Sequence, residues 1–346
     1  MAVVKADAYG HGATEVAKAA CEGGASWLGV AHIDEGLELR KNGITAPILA
    51  WLHTTRSGFR EAVDAGIDLG ISGWELPALL EAAGSLRKPA RVHFKVDTGL
   101  GRNGAGKESW AEVLTQLVES EGRGKVEIVG LFSHLAVADE PERSETARQL
   151  SEFKAAANQA ADLGAHIALH HLANTAAALA HPETRLDMVR VGLGIYGLSP
   201  FATRSPEDLG LRPAMTLCTF VSNCRHVKAG QNVSYGLTYK TARASTLALI
   251  PVGYGDGIPR TAEGARVFIE GRTYPVVGRV AMDQIVVDLG SVVENPAKLI
   301  GAEAIVFGPG RRGEPTAYDW AVASNTNNYE IVTRISPRVR RQYVSD

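Results

Sequence analysis

The sequence predicts an α/β fold, a (β/α)8 TIM barrel over residues 1–205 followed by a mostly β C-terminal domain over residues 206–346. Three observations predict it. Short apolar, β-branched runs alternate with longer amphipathic stretches eight times, the pattern of a barrel of parallel strands and covering helices. The pattern breaks after Pro200 in "FATRSPEDLGLRP", a proline-rich linker. Beyond it, strand-like runs are separated mainly by glycine and proline turns.

The barrel strands are expected near 2–5, 27–31, 47–51, 68–71, 91–96, 126–133, 166–171 and 188–193. Helical periodicity fills 12–22, 34–42, 58–65, 75–82, 108–119 and 142–163. In the second domain, strands are expected at 215–221, 246–251, 266–269, 274–277, 284–289 and 304–307, with one helix at 317–324. The basic cluster Arg334 to Arg341 alternates with apolar residues and proline and reads as a solvated final strand.

Composition narrows the function. The chain of 346 residues has a formal charge of −2, too little basic excess for nucleic acid to be the main partner. Cys21, Cys218 and Cys224 have neither metal-ligand spacing nor an even count for disulfides. A reducing, cytoplasmic setting with no metal is expected. No apolar run reaches the ~18 residues of a membrane span, and no signal peptide is visible.

In this barrel class, chemistry sits where strands end. Strand one ends at Lys5 and leads to Tyr9. Strand five ends at Lys95, followed by Arg102; strand six ends at His134. Strand seven leads to Asn174 and Thr175, and strand eight carries Arg190, Gly192 and Leu193. Each residue alone has an ordinary reading: a solvent-facing lysine, a hydrogen-bonded histidine, half of an ion pair. Together, a lysine, two arginines, a histidine and hydroxyls suit an anionic carbonyl cofactor held as a Schiff base. Two stretches, "GLGRNG" and "GLGIYG", match the dinucleotide-binding glycine pattern, which belongs in the first unit of an open sheet and not late in a barrel.

The stretch "AVVKADAYGHG" resembles the pyridoxal-phosphate attachment signature of the bacterial alanine racemases. "KVDTGLGRNG", "LFSHLAVADE", "HLANTAA", "DMVRVGLGIYG", "VSYGLTY", "PVGYGDG", "GRVAMDQ" and "NYEIVTR" follow in that family's order. The resemblance implies interconversion of L- and D-alanine with pyridoxal 5'-phosphate, supplying D-alanine for peptidoglycan. Lys5 would hold the cofactor and work the D side. Tyr235, from the other subunit of a homodimer with shared sites, would work the L side.

Tyr9, Asn174, Thr175, Gly192 and Leu193 are implied cofactor contacts, with Tyr9, Thr175 and the backbone at Gly192 and Leu193 holding the phosphate. Arg190 would face the pyridine nitrogen, and Arg102 the cofactor oxygen or the substrate carboxylate. His134 would link Tyr235 to Arg190. Met282 and Tyr254 would line the substrate entrance, and Lys95 matches a lysine carbamylated in some members. Substrate breadth, alanine alone or serine as well, stays open.

Three departures stand out. Relatives carry about thirty more residues before the lysine motif, so weak dimerisation or low solubility is expected of the 346 residues alone. Pro337 stands where some members place a phosphate-contacting tyrosine, which puts more weight on Tyr9 and Thr175. Ala281 replaces a cysteine found in some relatives.

Overall fold

The computed structural model describes residues 1–344. Two compact units divide the chain. The first comprises Met1–Ala8, Gly12–Ile195 and Ser199–Leu209; the second comprises Tyr9–His11, Tyr196–Leu198 and the residues from Gly210 onward.

In the first unit, seven parallel strands pair in chain order: β1 (Ala2–Val3), β2 (Leu28–Val30), β3 (Ile48–Ala50), β4 (Asp68–Ile71), β5 (Ala90–Lys95), β6 (Val126–Phe132) and β7 (Leu169–His171). Leu28, Ile48, Leu49, Leu69, Phe94 and Leu131 are fully buried, each worth roughly 1.5–3 kcal/mol of apolar burial. Helices follow the strands: α1 (Ala13–Glu22), α2 (Ile33–Lys41), α3 (Phe59–Asp64), α4 (Leu76–Leu86), α5 (Trp110–Gly122), α6 (Glu145–Asp162) and the short α7 (Thr175–Ala180).

The expected eighth strand, 188–193, is not a regular strand. Val191 alone bridges Ala2. The N–H groups of Asp187 and Arg190 donate to the carbonyls of His170 and Ala173, and that of Val3 donates to Val191. A glycine-rich segment with few β-branched residues closes the barrel through isolated bonds, because "VGLGIYG" turns away after one residue.

The pairing of β5 with β6 slips by one residue. Val92 faces Ile128 whereas His93 faces Gly130, so Val129 is the extra residue of a bulge. A Cβ at Gly130 would lie 2.3 Å from His93 Nδ1. The bulge and the missing side chain together make room for an imidazole inside the barrel.

The second unit holds a seven-stranded antiparallel sheet. In chain order its strands are β8 (Leu217–Phe220), β9 (Asn223–Val227), β12 (Ser245–Ile250), β13 (Arg266–Ile269), β14 (Arg272–Val277), β15 (Ile285–Asp288) and β16 (Glu303–Phe307). A two-stranded hairpin, β10 (Asn232–Val233) with β11 (Tyr239–Lys240), presents Tyr235 in its loop. Helices α8 (Ala317–Ala323) and α9 (Asn328–Thr333) follow.

The basic segment 334–341 forms no strand, against expectation. Arg338 grips Asp256 at 2.7 and 3.0 Å, and Arg341 donates to the carbonyls of Gly10, Ile335, Ser336 and Val339. Arginines with this many carbonyl and carboxylate partners wire a loop in place without a ladder. No helix among the described residues is long and apolar enough to cross a membrane.

Candidate active site

The first strand ends at Val3, two residues earlier than expected, and Lys5 opens a turn of the wrong hand. Ala6, Asp7, Ala8 and Tyr9 all have φ of 52–54°. Left-handed helical geometry costs an L-residue roughly 1–2 kcal/mol, so four in a row persist only if they are tied down. The Ala8 N–H donates to Val4 O. Glu35 accepts from the N–H groups of Ala6 (2.6 Å), Ala31 (2.8 Å) and His32 (3.0 Å). Asp7 accepts from Ala13 at 2.8 Å.

The turn swings Lys5 off the strand line and leaves it half-buried. Burial first, and then the field of Arg102, pull its amine below the usual lysine range; Glu35 acts against them. Glu35→Ala is expected to lose roughly 2–3 kcal/mol in urea unfolding, because three N–H groups lose a charged acceptor. Wild-type stability would show that the turn does not depend on this carboxylate.

Three more cations gather at the same strand ends. Lys95 is buried and its amine is pushed down to about 8, by burial first and then by Arg102 and Arg190, with Glu75 opposing and Lys5 adding a smaller downward pull. Arg190 is 6% exposed, and burial brings its guanidinium down to about 10. Phe132 lies between them, its ring centre 5.7 Å from Lys95 Nζ and 5.6 Å from Arg190 Cζ, so the negative ring face offsets part of the like-charge repulsion.

Arg190 is held by backbone. Nη1 donates to His171 O at 2.7 Å, and Nη2 donates to Ser133 O at 2.6 Å and Leu172 O at 3.0 Å. Nη1 also donates to His171 Nδ1 at 3.2 Å, and His134 Nδ1, 3.3 Å from Nη2, shares one of that nitrogen's two hydrogens. His134 is driven well below its usual range by burial, then by Arg190 and Arg102. Gln149 on α6 fixes the loop after β6 by donating to His134 O and accepting from Ala136 N–H.

The loop carrying Arg102 shows why "GLGRNG" is not a phosphate cradle. The N–H groups of Gly99, Leu100 and Gly101 already point at the carboxylate of Asp97. Asn174 accepts from Ala177 N–H and caps α7. Thr175 Oγ1 accepts from Gly192 N–H at 3.1 Å and Gly194 N–H at 3.4 Å, which ties Leu193 and its neighbours to the helix start.

Over most of its length the chain matches one family. Residues 1–200 match the model of the alanine racemase N-terminal domain and residues 214–343 that of the alanine racemase C-terminal domain. It is similar to the alanine racemase of Thermobifida fusca, 50% identical over 345 residues, 99% of this chain and 91% of the relative. The chain belongs to the alanine racemase family.

Solved members of that family carry the same fold. The alanine racemase of Streptomyces lavendulae superimposes with a TM-score of 0.97 at 46% identity, covering 100% of this chain and 90% of that one. That of Bacillus anthracis with bound L-Ala-P gives 0.86 at 35% identity, covering 98% and 86%.

Within this chain, the barrel unit carries Lys5, Lys95, Arg102, His134, Asn174, Thr175, Arg190, Gly192 and Leu193. Tyr9 falls in the second unit with Tyr235, Tyr254 and Met282. Tyr235, Tyr254 and Met282 are 70%, 40% and 54% exposed. A pocket of about 360 Å³ is lined by Ser234, Tyr235, Ala281 and Gln284 among others.

Sequence reading passed over Tyr329, whose ring centre lies 6.1 Å from that of Tyr9. Burial, reinforced by Tyr329, raises the Tyr9 phenol well above its usual range, which keeps it a hydroxyl donor. His93, His171 and Asp68 were also missed: His93 sits inside β5, Asp68 opens β4 and His171 ends β7, and a polar residue beside an apolar run was the only available signal.

Proposed function

We infer that the protein racemises alanine with pyridoxal 5'-phosphate by a two-base route, and that its product serves peptidoglycan synthesis. The observation that carries this reading is the amine of Lys5, half-buried just past the first strand, where burial first and then Arg102 disfavour its ammonium form. The donor set fits the cofactor. An amine suits its aldehyde, and the Thr175 hydroxyl with the backbone at Leu193 suits its phosphate, with Asn174 holding the helix start beside them. Arg102 suits its phenolate oxygen or the substrate carboxylate.

Arg190 suits the ring nitrogen. Both terminal nitrogens are committed to protein acceptors, which leaves Nε–H as the donor for a ligand. A guanidinium does not readily yield a proton, so the ring nitrogen stays unprotonated; that restrains transamination and favours return of the proton to carbon. When bound, the cofactor accepts the electron pair left behind as the α-proton departs.

Two proton carriers are needed, because a single base returns the proton to the face it came from. Lys5 Nζ serves the D face. Tyr235 Oη, supplied by a second copy in a homodimer, serves the L face. The exposure of Tyr235, Leu237 and Met282 supports a surface that a second copy covers, with Tyr254 and Met282 at the substrate entrance. His134 accepts from Arg190 at Nδ1, so its proton resides on Nε2 and is available to the tyrosine oxygen. Chiral chromatography of cofactor-loaded protein given L-alanine, D-alanine or L-serine tests the reading. Interconversion of alanine is expected; its absence overturns the proposal, and equal turnover of serine corrects the specificity.

Lys95 is best placed as a carbamate. A neutral amine adds carbon dioxide and releases one proton, and the anion formed replaces repulsion from Arg102, Arg190 and Lys5 with attraction. Bicarbonate is expected to raise the melting temperature of carbon dioxide-depleted wild type and not that of Lys95→Met. An insensitive wild type would refute it.

A further inference from the structure

Three buried titratable side chains of the barrel lie behind Arg190. Asp68, His93 and His171 are 2%, 0% and 0% exposed. They run in line from Arg190. Its Nη1 is 3.2 Å from His171 Nδ1, His171 Nε2 is 2.9 Å from His93 Nδ1, and His93 Nε2 is 3.3 Å from Asp68 Oδ2. Asp68 is also paired with Arg91 at 2.8 Å.

The two ends of this line have fixed chemistry. A guanidinium only donates, and a carboxylate only accepts. Arg190 therefore makes His171 Nδ1 an acceptor, which places the proton of a neutral ring on Nε2. That N–H donates to His93 Nδ1, so the His93 proton also resides on Nε2 and goes to Asp68. An imidazolium at either ring would set two N–H groups against each other. Burial, the largest influence on both, agrees by disfavouring the charged forms.

We propose that His93 and Asp68 are positioning residues for Arg190: a one-way file of donors from guanidinium to carboxylate locks the proton of His171 on Nε2, and the accepting Nδ1 then holds the arginine with its Nε–H on the ligand. The proposal rests on Arg190 being a ligand donor. It gives a purpose to the bulge at Val129 and the glycine at 130, which would otherwise be a defect in the best-paired part of the sheet.

The test uses cofactor-loaded enzyme with 15N-labelled histidine and long-range 1H–15N spectra. Wild type is expected to show two neutral, Nε2-protonated rings that do not titrate between about pH 6 and 9. His93→Asn keeps an acceptor at the Nδ1 place, and His93→Gln keeps only a group facing Asp68. The Asn variant should retain the His171 tautomer and a kcat within about threefold of wild type. The Gln variant should lose the single tautomer, with kcat down about tenfold and KM unchanged.

A wild-type His171 with its proton on Nδ1, or with two protons, overturns the proposal. So does a folded Gln variant with wild-type tautomer and kcat. If neither variant folds, the wild-type spectrum still decides. If wild type fails to racemise alanine, the proposed function falls, while the tautomer spectrum judges the file independently.

Discussion

Lys5→Ala is expected to lower racemisation in both directions on the order of 10^4-fold while leaving the barrel folded. Lys5 precedes the left-handed residues and is not itself at positive φ, so alanine adds no strain. Removing the amine also relieves repulsion with Arg102, and the melting temperature should hold or rise. Chiral assay, thermal unfolding and the absorbance of the bound cofactor read the three consequences separately. A variant within tenfold of wild type would remove Lys5 from the centre of the chemistry.

Tyr235→Phe gives the second large effect, about 10²- to 10⁴-fold in turnover, at almost no cost in stability. The side chain is 70% exposed, and surface substitutions usually stay within about 0.5 kcal/mol. The sharper measurement is solvent exchange of the α-hydrogen in deuterium oxide, followed by proton NMR. With Lys5 intact, D-alanine should still exchange while L-alanine stops. Equal exchange of both enantiomers would end the two-base account.

Much of this was legible in the sequence, because a parallel barrel writes itself as apolar runs whose last residues are polar. Lys5, Lys95, His134 and Arg190 were readable for that reason. The wrong-handed turn was not: nothing in "KADAYG" before its glycine signals positive φ, and the geometry comes from Glu35, thirty positions downstream. Nor was β9 (Asn223–Val227), whose mixed polar residues lack clean alternation because it is an edge of its sheet. His93 looked like an interruption of its strand and His171 like an ordinary strand end, and only a three-dimensional register brings them nose to nose.

The bulge in β6 has a consequence for how sequences of this barrel can drift. Position 130 is empty of a side chain because position 93 is occupied by a ring. An alanine at 130 is sterically excluded while the histidine stays, and loss of the histidine leaves a hole beside a glycine with no purpose. The two sites should therefore be inherited as a pair: lineages that trade the ring for a smaller residue are the ones free to refill the neighbouring strand.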